Sequence, residues 1–145
     1  MKQPPKKNIF IVDDDPDDRQ IILEAFLENN SSIDYIFIET GDLLMDILQK
    51  SNPQTLPSLI LLDLNLPGLM GLHVLKKIRE SKNFAHIPVI ILTTSTFAQD
   101  ESSSYKLGAN CFLRKPDTYK ELQEIAASVL RLWFPEKKLA VVEGD

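Results

Sequence analysis

The sequence predicts an α/β fold, a parallel five-stranded sheet covered on both faces by helices. Three observations predict it: strand-like and helix-like segments alternate along the chain, two strand segments are unbroken apolar runs, and polar residues gather just after the strands. With 145 residues and 43% hydrophobic content, the chain is long enough for one core and too short for two ordinary domains. One domain over residues 8–132 is therefore expected, with a short extension at 1–7 and a tail at 133–145.

Residues 8–12 form a β-branched apolar run that ends in an acidic cluster, and Pro16 is well placed in the first turn of a helix. From 17 to 30 the apolar positions Ile21, Ile22, Ala25 and Phe26 recur at helical spacing until paired asparagines break the pattern. Residues 35–38 read as a second strand, and Leu43, Leu44, Ile47 and Leu48 as the stripe of a second helix that stops before Asn52 and Pro53. The runs at 59–62 and 89–92 are apolar throughout, as central strands buried on both faces must be. Between them Leu72, Leu75, Lys76, Ile78 and Arg79 fit an amphipathic helix. A polar helix at 98–107, a strand at 111–113 and a helix at 117–132 complete the alternation. Right-handed crossovers then give a doubly wound sheet of the flavodoxin-like (βα)5 kind, in strand order 2-1-3-4-5.

Charge and composition exclude several classes. A net charge of -5 without a Lys/Arg-rich block leaves no electrostatic surface for nucleic acid or an anionic membrane, so partners are expected to be proteins. Cys111 is the only cysteine, which rules out an internal disulfide and fits a reducing compartment; it is expected as buried apolar filler. No apolar run approaches the roughly 18 residues that span a bilayer, and a cytoplasmic location is expected.

Ligands of open α/β sheets bind at the carboxyl ends of the strands. There the sequence places Asp13, Asp14 and Asp15 after strand one, Asp63 after strand three, Thr93 and Thr94 after strand four, and Lys115 after strand five. Carboxylates converging on one edge raise each other's pKa unless a cation neutralises them, and an all-oxygen donor set suits octahedral magnesium. Zinc is disfavoured because His73 and His86 lie elsewhere, as partly exposed side chains. An aspartate becomes a nucleophile toward phosphorus when metal and a fixed cation offset the developing charge. Asp63 is the candidate nucleophile, with Lys115 as cation, Thr93 as hydroxyl donor and residues 64–70 as a source of backbone amides and a metal-ligating carbonyl. Taken singly, an Asp-rich helix start is as often a capping feature, Asp63 a turn residue and Lys115 a solvated charge. The joint pattern on four strand ends is what one phosphoryl-transfer reaction requires.

These residues resemble the receiver domains of two-component signalling over about 8–132. The matching blocks are Ile11-Val12-Asp13-Asp14-Asp15, Leu61-Leu62-Asp63-Leu64-Asn65-Leu66-Pro67-Gly68, Pro88-Val89-Ile90-Ile91-Leu92-Thr93-Thr94 and Lys115-Pro116. The resemblance implies that Asp63 accepts phosphate from a sensor histidine kinase or phosphotransfer protein. It implies that Asp13, Asp14, Asp63 and the backbone carbonyl of Asn65 hold Mg2+, and that Thr93 and Lys115 bind the phosphoryl oxygens and relay the change toward the fourth helix, fifth strand and fifth helix. Asn65 and Ser95 stand where the family tunes acyl-phosphate hydrolysis. Such a protein catalyses only its own phosphorylation and dephosphorylation and signals through a downstream protein target.

Two positions depart from the family's pattern. Phe112 stands where a switch aromatic, commonly tyrosine, is found, so ring reorientation is retained and a hydroxyl contact is lost. Met70 replaces a frequent aspartate at the start of the third helix. The segment around 64–70 and 79–88 is similar to stand-alone regulators found beside phytochrome-type kinases. Trp133 and Phe134 either cap the core beneath them or lie exposed as a contact surface, through which a homodimer would form.

Particular residues oppose three rival functions. A flavin phosphate wants a Ser/Thr/Gly-rich first loop, and Asp13-Asp14-Asp15 would repel it. Aspartate-nucleophile phosphohydrolases place an acid two residues after the nucleophile, where this chain has Asn65. The third, a degenerate receiver acting as an unphosphorylated protein-binding module, is opposed by the presence of Asp63, Thr93 and Lys115 together.

Overall fold

The structure is a computed structural model and describes residues 7–135. Its elements run β1 Asn8–Val12, α1 Pro16–Asn29, β2 Asp34–Ile38, α2 Gly41–Lys50, β3 Leu59–Leu62, α3 Gly71–Glu80, β4 Val89–Thr93, α4 Ala98–Lys106, β5 Cys111–Arg114 and α5 Tyr119–Trp133. All strand pairs are parallel and the order is β2-β1-β3-β4-β5, the flavodoxin-like α/β arrangement expected. Residues 1–6 of the N-terminal extension and 136–145 of the tail lie outside the described residues.

The unbroken apolar runs have a simple cause. Phe10, Val12, Ile60, Leu62, Val89 and Ile91 face a core shared with α2 and α3, while Ile9, Ile11, Leu59, Leu61, Ile90 and Leu92 face a second core shared with α1 and α5. Alternate residues point to opposite faces, so a strand covered on both sides must be apolar at every position. The sheet is thereby pinned in register, and its carboxyl edge carries the polar residues at a fixed height.

Helix boundaries follow the caps. Asp15 accepts from the amides of Asp17 and Asp18 and sets the start of α1, with Pro16 in its first turn. The last helix begins at Tyr119, two residues later than the sequence suggested, because the Thr118 side chain accepts from the Glu121 amide and fixes the N-cap there. At α3 the N-cap is Met70, which makes no side-chain cap bond, as its replacement of an acid implies.

Several apolar positions are not where the stripes put them. Ile21 and Leu43 are exposed, since each stripe is wider than the helix face that meets the sheet. Cys111 is half-buried against the α1/α5 core instead of fully enclosed, because β5 is an edge strand. Phe134 is buried and Trp133 packs partly against the same core, so the capping alternative holds and these two rings do not form an exposed contact surface. Among the described residues, no helix is long and apolar enough to cross a membrane.

Candidate functional site

Each functional side chain stands at the end of a strand that the sheet holds rigid. Asp13 follows β1, and its amide donates to the Ile38 carbonyl at 3.1 Å; Asp63 follows β3, and its amide donates to the Val12 carbonyl at 3.0 Å. The parallel ladder continues one residue beyond the strands and brings the two aspartates side by side. Asp13 is 2% exposed and Asp63 6%, whereas Asp14 faces solvent. One carboxylate oxygen from each of Asp13, Asp14 and Asp63 lies within 4.8 Å of the others.

Lys115 enters this pocket from the end of β5. Its amide donates to the Thr93 carbonyl at 2.8 Å, which fixes the backbone, and its Nζ donates to Asp13 Oδ2 at 2.6 Å, Asp18 Oδ2 at 2.8 Å and Asp63 Oδ2 at 3.4 Å. Burial pulls the ammonium down, but the bonds to Asp13 and Asp18 and the charges of Asp63 and Asp13 more than offset it and hold its pKa above the ordinary value. For Asp13, burial raises the pKa and outweighs the lowering by Lys115 and by the Asp15 amide. The two directions agree physically: one ammonium is shared among several carboxylates, so the lysine is over-compensated and the aspartate under-compensated. The oxygen-only triad is suited to a hard divalent cation.

Two turns shape the carboxylates. Asp13 Oδ1 accepts from the Asp15 amide at 3.0 Å, and Asp63 Oδ1 accepts from the Asn65 amide at 3.2 Å. The side chain of Asn65 is exposed. Thr93 ends β4 and is fully buried, its hydroxyl accepting from the Ser95 amide at 3.2 Å. Ser95 in turn donates to Asp100 and accepts from the Phe97 amide at 3.3 Å, organising the start of α4. Phe112 is buried in the α2/α3-side core, and its backbone amide donates to the Tyr105 hydroxyl of α4 at 3.0 Å.

Sequence reasoning passed over four contributors. Asp18 is a direct partner of Lys115, although only the acidity of the 13–18 cluster hinted at it. Arg19 donates to the Asp13 carbonyl at 2.8 Å while its guanidinium lies over the Phe37 ring at 5.6 Å, bracing the first loop against the edge strand. Arg114 holds the β4–α4 loop through the carbonyls of Ser95 at 3.0 Å and Thr96 at 3.4 Å. Gly71 lets α3 approach the Asp63 backbone, where a Cβ would stand 2.5 Å from the Asp63 carbonyl oxygen.

Comparison with known proteins follows the same lines. The family model described as the response regulator receiver domain matches residues 9–127. Response regulator Rcp1 of Synechocystis sp. is 33% identical over 135 residues, covering 90% of both chains. Its manganese-bound crystal structure superposes with a TM-score of 0.81 at 32% identity, covering 92% of this chain and 98% of that one. The phosphorylated cyanobacterial phytochrome response regulator RcpA gives 0.81 at 32% identity, covering 88% and 94%. The bacteriophytochrome response regulator AtBRR gives 0.74 at 32% identity, covering 94% and 99%. The similarity to phytochrome-associated regulators expected from the loops is thus found across the whole domain. Strand order, acidic pocket, lysine and family match coincide, and the chain belongs to the response regulator receiver domain family of two-component systems.

Proposed function

We propose that this protein is a Mg2+-dependent phosphorylation switch in which Asp63 accepts a phosphoryl group from a sensor histidine kinase or phosphotransfer protein. One observation carries the reading: a buried carboxylate at the end of a central strand, with two further carboxylates and a lysine ammonium converging on it. In the reaction an Asp63 oxygen lone pair forms the new O–P bond while the P–N bond of the phosphoimidazole breaks. Its electron pair leaves with the imidazole, which is protonated. Asp13, Asp14, Asp63 and the Asn65 carbonyl would hold the magnesium ion, which when bound neutralises charge on the phosphoryl oxygens.

Lys115 then supplies a fixed positive charge to one phosphoryl oxygen, and Thr93 turns its hydroxyl from the Ser95 amide toward another. That rotation frees the Ser95 amide and loosens the start of α4, which passes the change to Phe112 and to a downstream protein. Asn65 and Ser95 set access of water to the acyl phosphate and hence the lifetime of the signal. The manganese ion and the phosphorylated state named for Rcp1 and RcpA are consistent with this chemistry.

Intact mass after incubation with acetyl phosphate tests the proposal. A phosphate-sized gain is expected only with magnesium, and none in Asp63→Asn. No gain in wild type, with donor and metal shown to be active, would leave only the binding-module reading.

A further inference from the structure

The ammonium of Lys115 makes its two short bonds to Asp13 and Asp18 and its long one to Asp63. In the resting molecule the cation is therefore drawn toward α1 and away from the proposed phosphoacceptor. Asp13 belongs to the carboxylate triad that converges for a cation; Asp18 does not. A metal ion on the triad competes with Lys115 for Asp13, and Asp18 is the partner left to the lysine.

The placement of Asp18 suits that role. It stands in the first turn of α1, where Asp15 caps its amide, so the helix fixes how far its carboxylate reaches. Its side chain is 36% exposed while that of Lys115 is 13% exposed, so it bridges the rim and the interior of the pocket. A carboxylate there acts in opposite directions on the two ions the site takes. It attracts a divalent cation, and it repels a phosphoryl dianion while competing with it for the same ammonium.

Resting on the reading of Asp63 as phosphoacceptor, we propose that Asp18 is a positioning residue, a counter-ion that holds Lys115 in its resting place. It thereby limits how tightly the site binds a phosphoryl group. Asp18→Asn keeps the shape and an acceptor oxygen but removes the charge, and Asp18→Glu keeps the charge.

The probe is beryllofluoride with magnesium, a non-covalent phosphoryl mimic, titrated by fluorine NMR, alongside calorimetric titration of magnesium alone. Asp18→Asn is expected to bind beryllofluoride about three- to tenfold more tightly, the size of one partly screened charge near contact, and magnesium more weakly. Asp18→Glu should lie near wild type in both. A merely structural role would shift both affinities in the same direction.

Unchanged or weaker beryllofluoride binding in Asp18→Asn, with wild type binding normally, would overturn the inference and leave the phosphoacceptor reading standing. Wild type that binds no beryllofluoride and takes no phosphate from acetyl phosphate brings down both.

Discussion

At Gly71 the N-terminus of α3 comes directly against the backbone that follows β3. A Cβ there would meet the Asp63 carbonyl oxygen at 2.5 Å and the Leu64 Cα at 2.7 Å, and backbone atoms cannot give way as a flexible side chain can. Gly71→Ala is expected to cost about 1–3 kcal/mol in urea unfolding, the range for overpacking. It should also slow phosphorylation, because it pushes on the residue that carries Asp63. Tyr35 offers a separate residue-level test. Its hydroxyl donates to the Asn30 carbonyl at 3.0 Å, and burial pushes its pKa up to about 12. A folded pKa raised above the unfolded value means stability fully present below pH about 10 and lost as pH rises toward 12. The phenolate absorbance difference between wild type and Tyr35→Phe should show its step near pH 12, while the native far-ultraviolet signal persists.

At the scale of elements, a single arginine ties three segments together at the opposite edge of the sheet from the acidic pocket. Arg79, at the end of α3, donates to the carbonyls of Gly108 at 2.9 Å, Ala85 at 3.2 Å and Ile87 at 2.7 Å, and to Asn110 Oδ1 at 2.8 Å. Asn110 Oδ1 also accepts from the Val89 amide, so the clasp extends to the first residue of β4. Arg79→Ala leaves these acceptors short of a donor and should lower stability by about 2–4 kcal/mol, the scale of a lost charged hydrogen-bond network. Arg79→Lys should recover less than half of it in urea unfolding, since a point-like ammonium does not span acceptors arranged for a fork. Full recovery by lysine would mean that charge alone, and not geometry, holds the clasp.

Among the described residues, the carboxylates that could hold a metal gather at one edge of the sheet. Asp13, Asp18 and Asp63 share a single ammonium at the carboxyl edge of the sheet, and an oxygen of Asp14 lies within 4.8 Å of oxygens of Asp13 and Asp63. A divalent cation that binds only the folded chain stabilises it by mass action, about 2.7 kcal/mol at a hundredfold excess over Kd. Thermal unfolding should therefore move up several degrees with magnesium and fall back on addition of a chelator. Asp14→Asn removes repulsion and one ligand together, so it should raise Tm without metal and shrink the magnesium-dependent shift. An unchanged shift in that variant would remove Asp14 from the ligand set.

The alternation of apolar runs and amphipathic stretches narrowed the strand order to a few solutions, of which 2-1-3-4-5 is the simplest, because strands buried on both faces and right-handed crossovers exclude most others. The strand-end rule likewise made Asp13, Asp14, Asp63, Thr93 and Lys115 legible as one group, since each is fixed by the strand it follows. Tertiary structure alone decided contacts between residues whose own segments give no reason for them. Asp18 pairs with Lys115 across 97 positions, and Arg79 reaches Asn110 across 31. Whether Phe134 lay inside or outside was also undecided until α5 was seated on α1, because an apolar ring at a helix end suits either place. Periodicity records which face of an element is buried. It does not record where a long side chain on the rim of that face finds its partner, because that depends on how the elements pack.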